Sequence, residues 1–197
     1  MRVIGLTGGI GMGKTTIAKV FARARIPVHD ADRAVHALYG RGGAAVAAVA
    51  ALVPEAVRDG AVDRSVLRQA VLADPSLLAR LEALVHPLVR RDQARFLALC
   101  RRRRARAAVL DIPLLFETGA DRRLDRVVVV SAPRPVQRAR VLARPGMTAE
   151  RLAAILARQM PDAERRRRAD CVIPTGLSRH FAQARLRRAL PSLLGGG

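Results

Sequence analysis

The sequence contains no tryptophan and no asparagine, and only 3% of its 197 residues are aromatic. A core without large aromatic rings has to be filled by Ala, Val, Leu and Ile, and a hydrophobic content of 50% is enough for a globular fold. At this length we expect one domain with insertions rather than two independent domains. The missing asparagine excludes a guanine-recognition motif of the NKxD type.

Cysteine and long apolar runs are also scarce. Cys100 and Cys171 are too few for a disulfide framework and lack the spacing of metal ligands, so both are expected to be buried free thiols. No stretch approaches the roughly 18 uncharged apolar residues of a membrane span. The N-terminal MRVIGLTGGIG indicates a strand entering a glycine loop rather than a signal peptide, so a cytoplasmic protein is expected.

The charge is one-sided, with a formal net charge of +20. Such a balance is typical of proteins that bind nucleic acids. However, Lys14 and Lys19 are the only lysines, and the arginines are spread along the chain with runs only at Arg101–Arg104 and Arg165–Arg168. A charge run is usually a solvated helix face, so nucleic-acid binding is disfavoured as the main function. The excess charge would still attract polyphosphate ligands.

Short apolar runs alternate with segments of helical periodicity. The predicted strands are Val3–Leu6, Ile26–Val28, Val109–Ile112, Val127–Val130 and Cys171–Ile173. The predicted helices include Thr15–Arg25, a segment after Asp32, Pro133–Ala143, Thr148–Gln159 and a last helix from Ser178 to about Leu190. This alternation predicts a doubly wound α/β fold with a parallel sheet flanked by helices.

The region from Gly42 to Arg106 contains no convincing strand. Its Ala, Val and Leu runs are broken at Pro54, Gly60, Pro75 and Pro87, which predicts several helices inserted after the second strand.

The strongest chemical signal is a glycine-rich loop between the first strand and the first helix. The loop matches the pattern G-x-x-x-x-G-K-[ST], which is typical of phosphate binding. Its glycines let backbone N–H groups approach phosphate oxygens, and the start of the following helix adds the positive end of its dipole. Lys14 is expected to bridge the β- and γ-phosphates of ATP, and the Thr15 hydroxyl to coordinate Mg²⁺. The expected nucleotide-binding residues are Gly8, Gly9, Ile10, Gly11, Met12, Gly13, Lys14, Thr15 and Thr16. We call Gly8–Thr15 the phosphate loop.

A phosphate loop alone does not separate a kinase from a GTPase or a motor ATPase. The missing asparagine argues against a small GTPase, and the chain is short for most motor ATPase cores. No hydrophobic run ends in the paired Asp-Glu that commonly activates a hydrolytic water, so transfer to a small molecule is favoured. Asp111 ends the third predicted strand and is a candidate Walker-B-like carboxylate that would hold a metal-bound water.

Five segments together resemble the bacterial dephospho-CoA kinases. They are TGGIGMGKTT, HDADRAVH, the pair His86-Pro87, DIPLLFETG, and the stretch from Gln137 through ARQMP to RADCVI. The resemblance covers nearly the whole chain. It implies phosphorylation of the ribose 3′-hydroxyl of dephospho-CoA by Mg-ATP. Two positions depart from the family pattern, since Met12 stands where many relatives have Ser and Pro174–Gly176 replaces an Asn-containing turn.

The resemblance also implies a P-loop kinase fold with a helical substrate-binding insertion and a small lid. Within residues 1–197, we expect a core at about 1–30, 107–134 and 168–197, a helical substrate region at about 31–106 and a lid region at about 135–167.

Three residues are assigned to the acceptor by the resemblance. Asp32 would accept the proton of the acceptor hydroxyl or orient that hydroxyl in line with the γ-phosphate, although Asp30 or Asp32 also suits a cap of the following helix. His86 would lie near bound dephospho-CoA, or be a structural histidine. Glu117 is the last residue of the PLLFE segment and would contact the substrate, or be a charge at a helix end.

Arginines of the lid region are the candidates for stabilising the transferred phosphoryl group. Arg138, Arg140, Arg144 and Arg158 fit this role, because a closing lid brings cations onto developing charge and excludes water. Arg140 and Arg144 are preferred because they lie one helical turn apart beside the Pro145-Gly146 break. The alternatives are another small-molecule P-loop kinase, of the nucleoside monophosphate or shikimate type, and a basic nucleic-acid-binding ATPase.

Overall fold

Five apolar strands form one sheet in the computed structural model, which describes residues 1–195. The strands are β1 (Arg2–Thr7), β2 (Val28–Asp30), β3 (Ala107–Asp111), β4 (Arg126–Ser131) and β5 (Cys171–Pro174), in the spatial order β2-β3-β1-β4-β5. Strand β1 pairs in parallel with β3 and β4, and β4 pairs in parallel with β5. The expected α/β fold with a parallel sheet is confirmed.

Helices connect the strands. They are α1 (Lys14–Arg23), α2 (Ala31–Tyr39), α3 (Val46–Leu52), α4 (Arg64–Ala73), α5 (Ser76–Arg102), α6 (Arg134–Leu142), α7 (Ala149–Ala157), α8 (Asp162–Arg167) and α9 (Arg179–Leu193). The chain divides into two compact units, of which the first is Met1–His29 with Cys100–Gly197 and the second is Asp30–Leu99. Residues 196 and 197 of the expected core lie outside the described residues.

In the first unit, both faces of the sheet are covered by apolar packing. Along β4, Val128 and Val130 belong to one cluster with α1, while Val127 and Val129 belong to another cluster with Phe116. Alternate residues of a strand point to opposite faces, so a continuous apolar run is what a strand covered on both faces requires. The phosphate loop leaves the carboxyl end of β1, in the middle of this sheet.

The second strand begins two residues later than expected. Ile26 was predicted to begin it, but its backbone N–H bonds to the carbonyl of Phe21 at 3.0 Å and helps to close the end of α1. Arg25 adopts a left-handed conformation (φ 58°), and Ile26 is buried as an anchor rather than as a strand residue. The apolar pattern was therefore right about burial and wrong about the position of β2.

The second unit contains a short hairpin that the sequence pattern did not predict. Val57–Arg58 pairs antiparallel with Ala61–Val62. The turn residues Asp59 and Gly60 both have positive φ, 49° and 73°, as a type I′ turn requires. The Asp-Gly dipeptide is typical of such a hairpin turn, but the strands that flank it are only two residues long.

Helix α5 runs through Pro87, so the predicted break there was wrong. Proline removes one N–H from the helix interior, which normally kinks or ends a helix. Here Val85 on one side and Leu88 and Val89 on the other pack into the core of the second unit, and this packing outweighs the local preference. Although α5 spans 27 residues, no helix within residues 1–195 is long and apolar enough to cross a membrane.

Both thiols are free, as expected. Cys100 is buried and Cys171 is half-buried. Burial raises the pKa of both thiols, which keeps them protonated and weakly nucleophilic at neutral pH.

Candidate active site

The phosphate loop opens directly onto the N-terminus of α1. Gly11 and Gly13 have φ values of 74° and 87°, the left-handed region that favours glycine. Gly13 is also the N-cap of α1 and has no side chain with which to cap it. The start of α1 therefore suits an anion, because no side chain caps it and it carries the positive end of the helix dipole.

Lys14 and Asp111 form an ion pair at the base of the loop. Asp111 is the last residue of β3 and its side chain is 6% exposed, whereas the Lys14 side chain is 17% exposed. The predicted candidates Lys14 and Asp111 thus lie in contact, at the carboxyl edge of the sheet where ligands of open α/β sheets bind.

Thr15 and Asp111 are the predicted candidates for holding a magnesium ion. Thr15 is exposed in the first turn of α1 and follows Lys14, the partner of Asp111. Within residues 1–195, no three His, Cys, Asp or Glu side chains come together as a cage for a metal ion. Mg²⁺ bound with phosphates needs only one or two carboxylates and keeps several waters, so a hydroxyl and a carboxylate are compatible with it.

Two glutamines hold the phosphate loop from the region after β4. Gln137 of α6 donates a hydrogen bond from Nε2 to the carbonyl of Ile10 at 2.8 Å. The N–H of Ile10 in turn donates to Oε1 of Gln159 at 3.2 Å. Sequence reasoning gave neither glutamine a role, although both lie in the segment that carried the family resemblance.

Thr175 connects the loop to the segment after β5. Its hydroxyl donates to the carbonyl of Met12 at 2.7 Å, and the hydroxyl and carbonyl of Thr175 accept from Arg140 at 3.3 and 2.6 Å. Met12 is buried, and its sulfur accepts from the N–H of Ala132 at 3.0 Å. The two positions that depart from the family pattern, Met12 and the turn around Thr175, are thus hydrogen-bonded to each other.

The preferred lid arginines differ in their surroundings. Arg140 lies on α6 and is bound to Thr175, so it contacts a residue that supports the loop. Arg144 follows α6 and is exposed. The other candidates, Arg138 and Arg158, are exposed as well.

The arginine run at 165–168 is not a uniformly solvated face, so that interpretation was wrong. Arg165 is 2% exposed and lies against Gly9 of the phosphate loop. Arg168 pairs with Asp121 at 2.6 Å and lies over the ring of Phe116 at 4.5 Å. The run at Arg101–Arg104 is exposed, as expected.

The three residues assigned to the acceptor by resemblance belong to two different units. Asp32 and His86 belong to the second unit and are both exposed. Asp30, not Asp32, caps α2 by accepting from the N–H of Arg33 at 3.0 Å. Glu117, in the first unit, accepts from the N–H of Met160 at 2.7 Å, beside the glutamine that binds the loop.

The family model and the curated relatives of this chain share one description. The family model described as dephospho-CoA kinase matches residues 2–178. A protein of Mesorhizobium japonicum named dephospho-CoA kinase is 56% identical over 195 residues, which are 99% of this chain and 98% of that protein.

Solved structures agree on the fold. A crystal structure from Thermus thermophilus has a TM-score of 0.83 and 38% identity, covering 97% of this chain and 96% of that one. The dephospho-CoA kinase of Campylobacter jejuni has a TM-score of 0.69 at 18% identity, covering 98% of this chain and 97% of that one, which is a likeness of fold.

Proposed function

The chain belongs to the dephospho-CoA kinase family, and we propose that it transfers the terminal phosphoryl group of ATP to the ribose 3′-hydroxyl of dephospho-CoA. The products are coenzyme A and ADP, so the reaction is the last step of coenzyme A synthesis. One observation carries the proposal: a family match over residues 2–178 that includes a phosphate loop with a lysine and an uncapped helix start. The enzyme is accordingly a kinase.

The proposed reaction breaks one P–O bond and forms another. The bond between the terminal phosphorus and the oxygen that bridges it to ADP breaks, and its electron pair stays on ADP. The oxygen of the acceptor hydroxyl bonds to the phosphorus, and the hydroxyl proton passes to a carboxylate or to solvent. We assign the carboxylate role to Asp32, which is exposed and is not the N-cap of α2.

Residues of the first unit would bind the nucleotide. In this proposal the loop N–H groups and Lys14 hold the phosphates, and Thr15 and Asp111 hold Mg²⁺. When bound, Mg²⁺ would neutralise phosphate charge. Asp111 would then exchange part of its interaction with Lys14 for the metal, while Lys14 turns to the phosphates.

The remaining assignments belong to the same proposal. His86 and Glu117 would contact dephospho-CoA, and Arg140 and Arg144 would act on the transferred group from a lid at about 135–167. Residues 31–106 would form the substrate region, in an enzyme of the cytoplasm. Arg140 is supported by its bonds to Thr175, which also binds the phosphate loop.

A coupled ADP-release assay tests the function. The protein with Mg-ATP is given dephospho-CoA, AMP, shikimate or single-stranded DNA in separate reactions, and the product is identified by mass spectrometry and phosphorus NMR. We expect ADP release with dephospho-CoA only, a 3′-phosphorylated product, and loss of activity in the Lys14→Met variant. Faster turnover with AMP or shikimate would contradict the assigned acceptor, and DNA-stimulated ADP release would favour a nucleic-acid ATPase.

A further inference from the structure

One arginine is buried beside the phosphate loop. Arg165 lies on the short helix α8 and is 2% exposed, whereas its neighbours Arg166 and Arg167 are exposed. Burying a guanidinium is costly unless its charge and its N–H groups are paired. An interaction must therefore offset the cost of burying Arg165, whereas the exposed arginines of the same run carry no such cost.

The guanidinium approaches the loop at a glycine. A Cβ atom added to Gly9 would lie 2.7 Å from Nη2 of Arg165 and 3.2 Å from Oε1 of Gln159. The same Gln159 oxygen accepts the N–H of Ile10. Arg165 is thus placed against the loop backbone, and a side chain at position 9 would require its guanidinium to shift.

The guanidinium of Arg165 lacks a close carboxylate partner and part of its hydrogen bonds. Its nearest recorded carboxylate oxygen, Oδ1 of Asp162, is 3.7 Å from Nη2, and the other oxygen of Asp162 accepts from the Ser131 hydroxyl at 2.7 Å. Within residues 1–195, Nε and Nη1 of Arg165 are buried and have no hydrogen-bond partner. Three N–H bonds of a permanent cation, one on Nε and two on Nη1, therefore remain to be satisfied.

Arg165 also lines a cavity of about 960 Å³, which reaches Met12 of the phosphate loop. Arg134, Arg166 and Arg185 line the same cavity, so its surroundings are strongly basic. A planar guanidinium with free N–H groups matches the oxygens of a phosphate group better than any neutral ligand.

We propose that Arg165 is a further phosphate-binding residue of this kinase, which donates hydrogen bonds from Nε and Nη1 to phosphate oxygens of the nucleotide on the Gly9 side of the loop. The inference rests on the proposed function for the identity of the nucleotide. It differs from the assignment of Arg140 and Arg144, because Arg165 is buried and already lies against Gly9 of the phosphate loop.

Two variants and a matched control test the proposal. Arg165→Met removes the charge and keeps an unbranched apolar chain, Arg165→Lys keeps the charge without the planar fork, and Arg167→Met alters an exposed arginine of the same helix. The affinities for ATP and ADP are measured by calorimetry and that for adenosine by ligand-observed NMR. Thermal unfolding is measured for every variant.

We expect Arg165→Met to bind ATP about 10- to 100-fold more weakly than the wild type, the range of charge-assisted hydrogen bonds, with adenosine affinity unchanged. Its melting temperature should not fall, because an incompletely paired buried charge has been replaced by an apolar group. Arg165→Lys should recover part of the affinity, and Arg167→Met should equal the wild type. A loss for ATP but not for ADP would assign the contact to the terminal phosphoryl group.

Unchanged ATP affinity in Arg165→Met, or an equal loss for ATP and adenosine, would overturn the proposal and leave a structural arginine. If Arg165→Met does not fold, the Arg165→Lys variant tests the proposal instead. A loss of affinity for ATP but not for adenosine in that variant would support the phosphate contact, and wild-type ATP affinity would contradict it. The binding measurements need no acceptor. A wild-type protein that does not phosphorylate dephospho-CoA would therefore refute the proposed function without affecting the result for Arg165.

Discussion

Replacing Asp111 by Asn should change ATP affinity in opposite directions in the absence and in the presence of magnesium. In the free protein the carboxylate pairs with Lys14, the same ammonium that the nucleotide phosphates would bind. Asp111 thus competes with the phosphates for Lys14 and adds a negative charge beside them. If it also holds Mg²⁺, the same carboxylate helps the nucleotide once the metal is present.

The expected magnitudes follow from burial. Breaking a fully buried ion pair costs about 3–5 kcal/mol, but the Lys14 side chain is 17% exposed and its ammonium can reach water. We therefore expect Asp111→Asn to lose about 1–3 kcal/mol, which lowers the melting temperature by roughly 2–12 °C in a chain of this size. Without magnesium, ATP should bind roughly tenfold more tightly, since one repulsive charge is gone. With magnesium, binding should be about tenfold or more weaker.

Calorimetric titration of ATP in EDTA and in excess Mg²⁺ gives both affinities, and thermal unfolding gives the change in stability. Glu82→Gln, which neutralises an exposed carboxylate of α5, is the control and should match the wild type in all three measurements. If ATP affinity changes equally with and without magnesium, Asp111 has no part in holding the metal. An unchanged melting temperature would refute the argument from the ion pair.

Three further predictions concern single positions. Gly11→Ala should destabilise the protein more than Gly13→Ala, because both glycines have positive φ but only a Cβ at Gly11 would meet Val141, at 2.5 Å; equal shifts in melting temperature would contradict this. Asp32→Asn should lower single-turnover transfer by roughly 10² to 10⁴-fold with an unchanged melting temperature, and undiminished transfer would remove Asp32 from the mechanism. Hydrogen bonds with the start of α4 lower the pKa of Asp63, so its carboxylate stabilises the fold above its ordinary value of 3.8 and less so as the pH falls below it. Asp63→Ala should therefore lower the melting temperature at neutral pH and much less at about pH 2.5, and a loss that does not depend on pH would argue against the charged cap.

The central sheet and the phosphate loop could be predicted because their signals are local. Val127–Val130 is a continuous β-branched run, and the spacing from Gly8 to Thr15 fixes both the turn and the helix that follows it. The error at Pro87 has a different origin. There a long-range packing preference outweighed a local one, and no window of sequence around the proline contains the residues that pack against it.

The contacts that hold the loop could not be predicted because they join distant parts of the chain. Gln137 is 127 positions from Ile10, and Gln159 is 149 positions from it. Apolar periodicity shows which face of a helix is buried, but it does not show which polar residue of that helix meets a loop from another part of the fold. The family resemblance marked these segments without giving the glutamines a role.

The location of the site can be predicted better from the polar residues that end or directly follow the apolar runs. Among the described residues, the buried polar and charged side chains are Thr7, His29, Asp111, Ser131, Gln137, Arg165 and Thr175. Thr7, Asp111 and Ser131 are the last residues of β1, β3 and β4, and Thr175 directly follows β5. Since parallel strands bring their carboxyl ends to one edge, a polar residue at the end of each apolar run predicts a polar site there.

The high arginine content is the reason why Arg165 could not be distinguished from the other arginines by sequence alone. An exposed arginine costs little free energy, so a composition bias can place arginines over the whole surface without constraint from the fold. A buried, incompletely paired guanidinium is costly, and such a cost persists where a ligand offsets it. In a chain with a net charge of +20, burial at the edge of the sheet therefore separates the arginine expected to bind phosphate from those that only add charge.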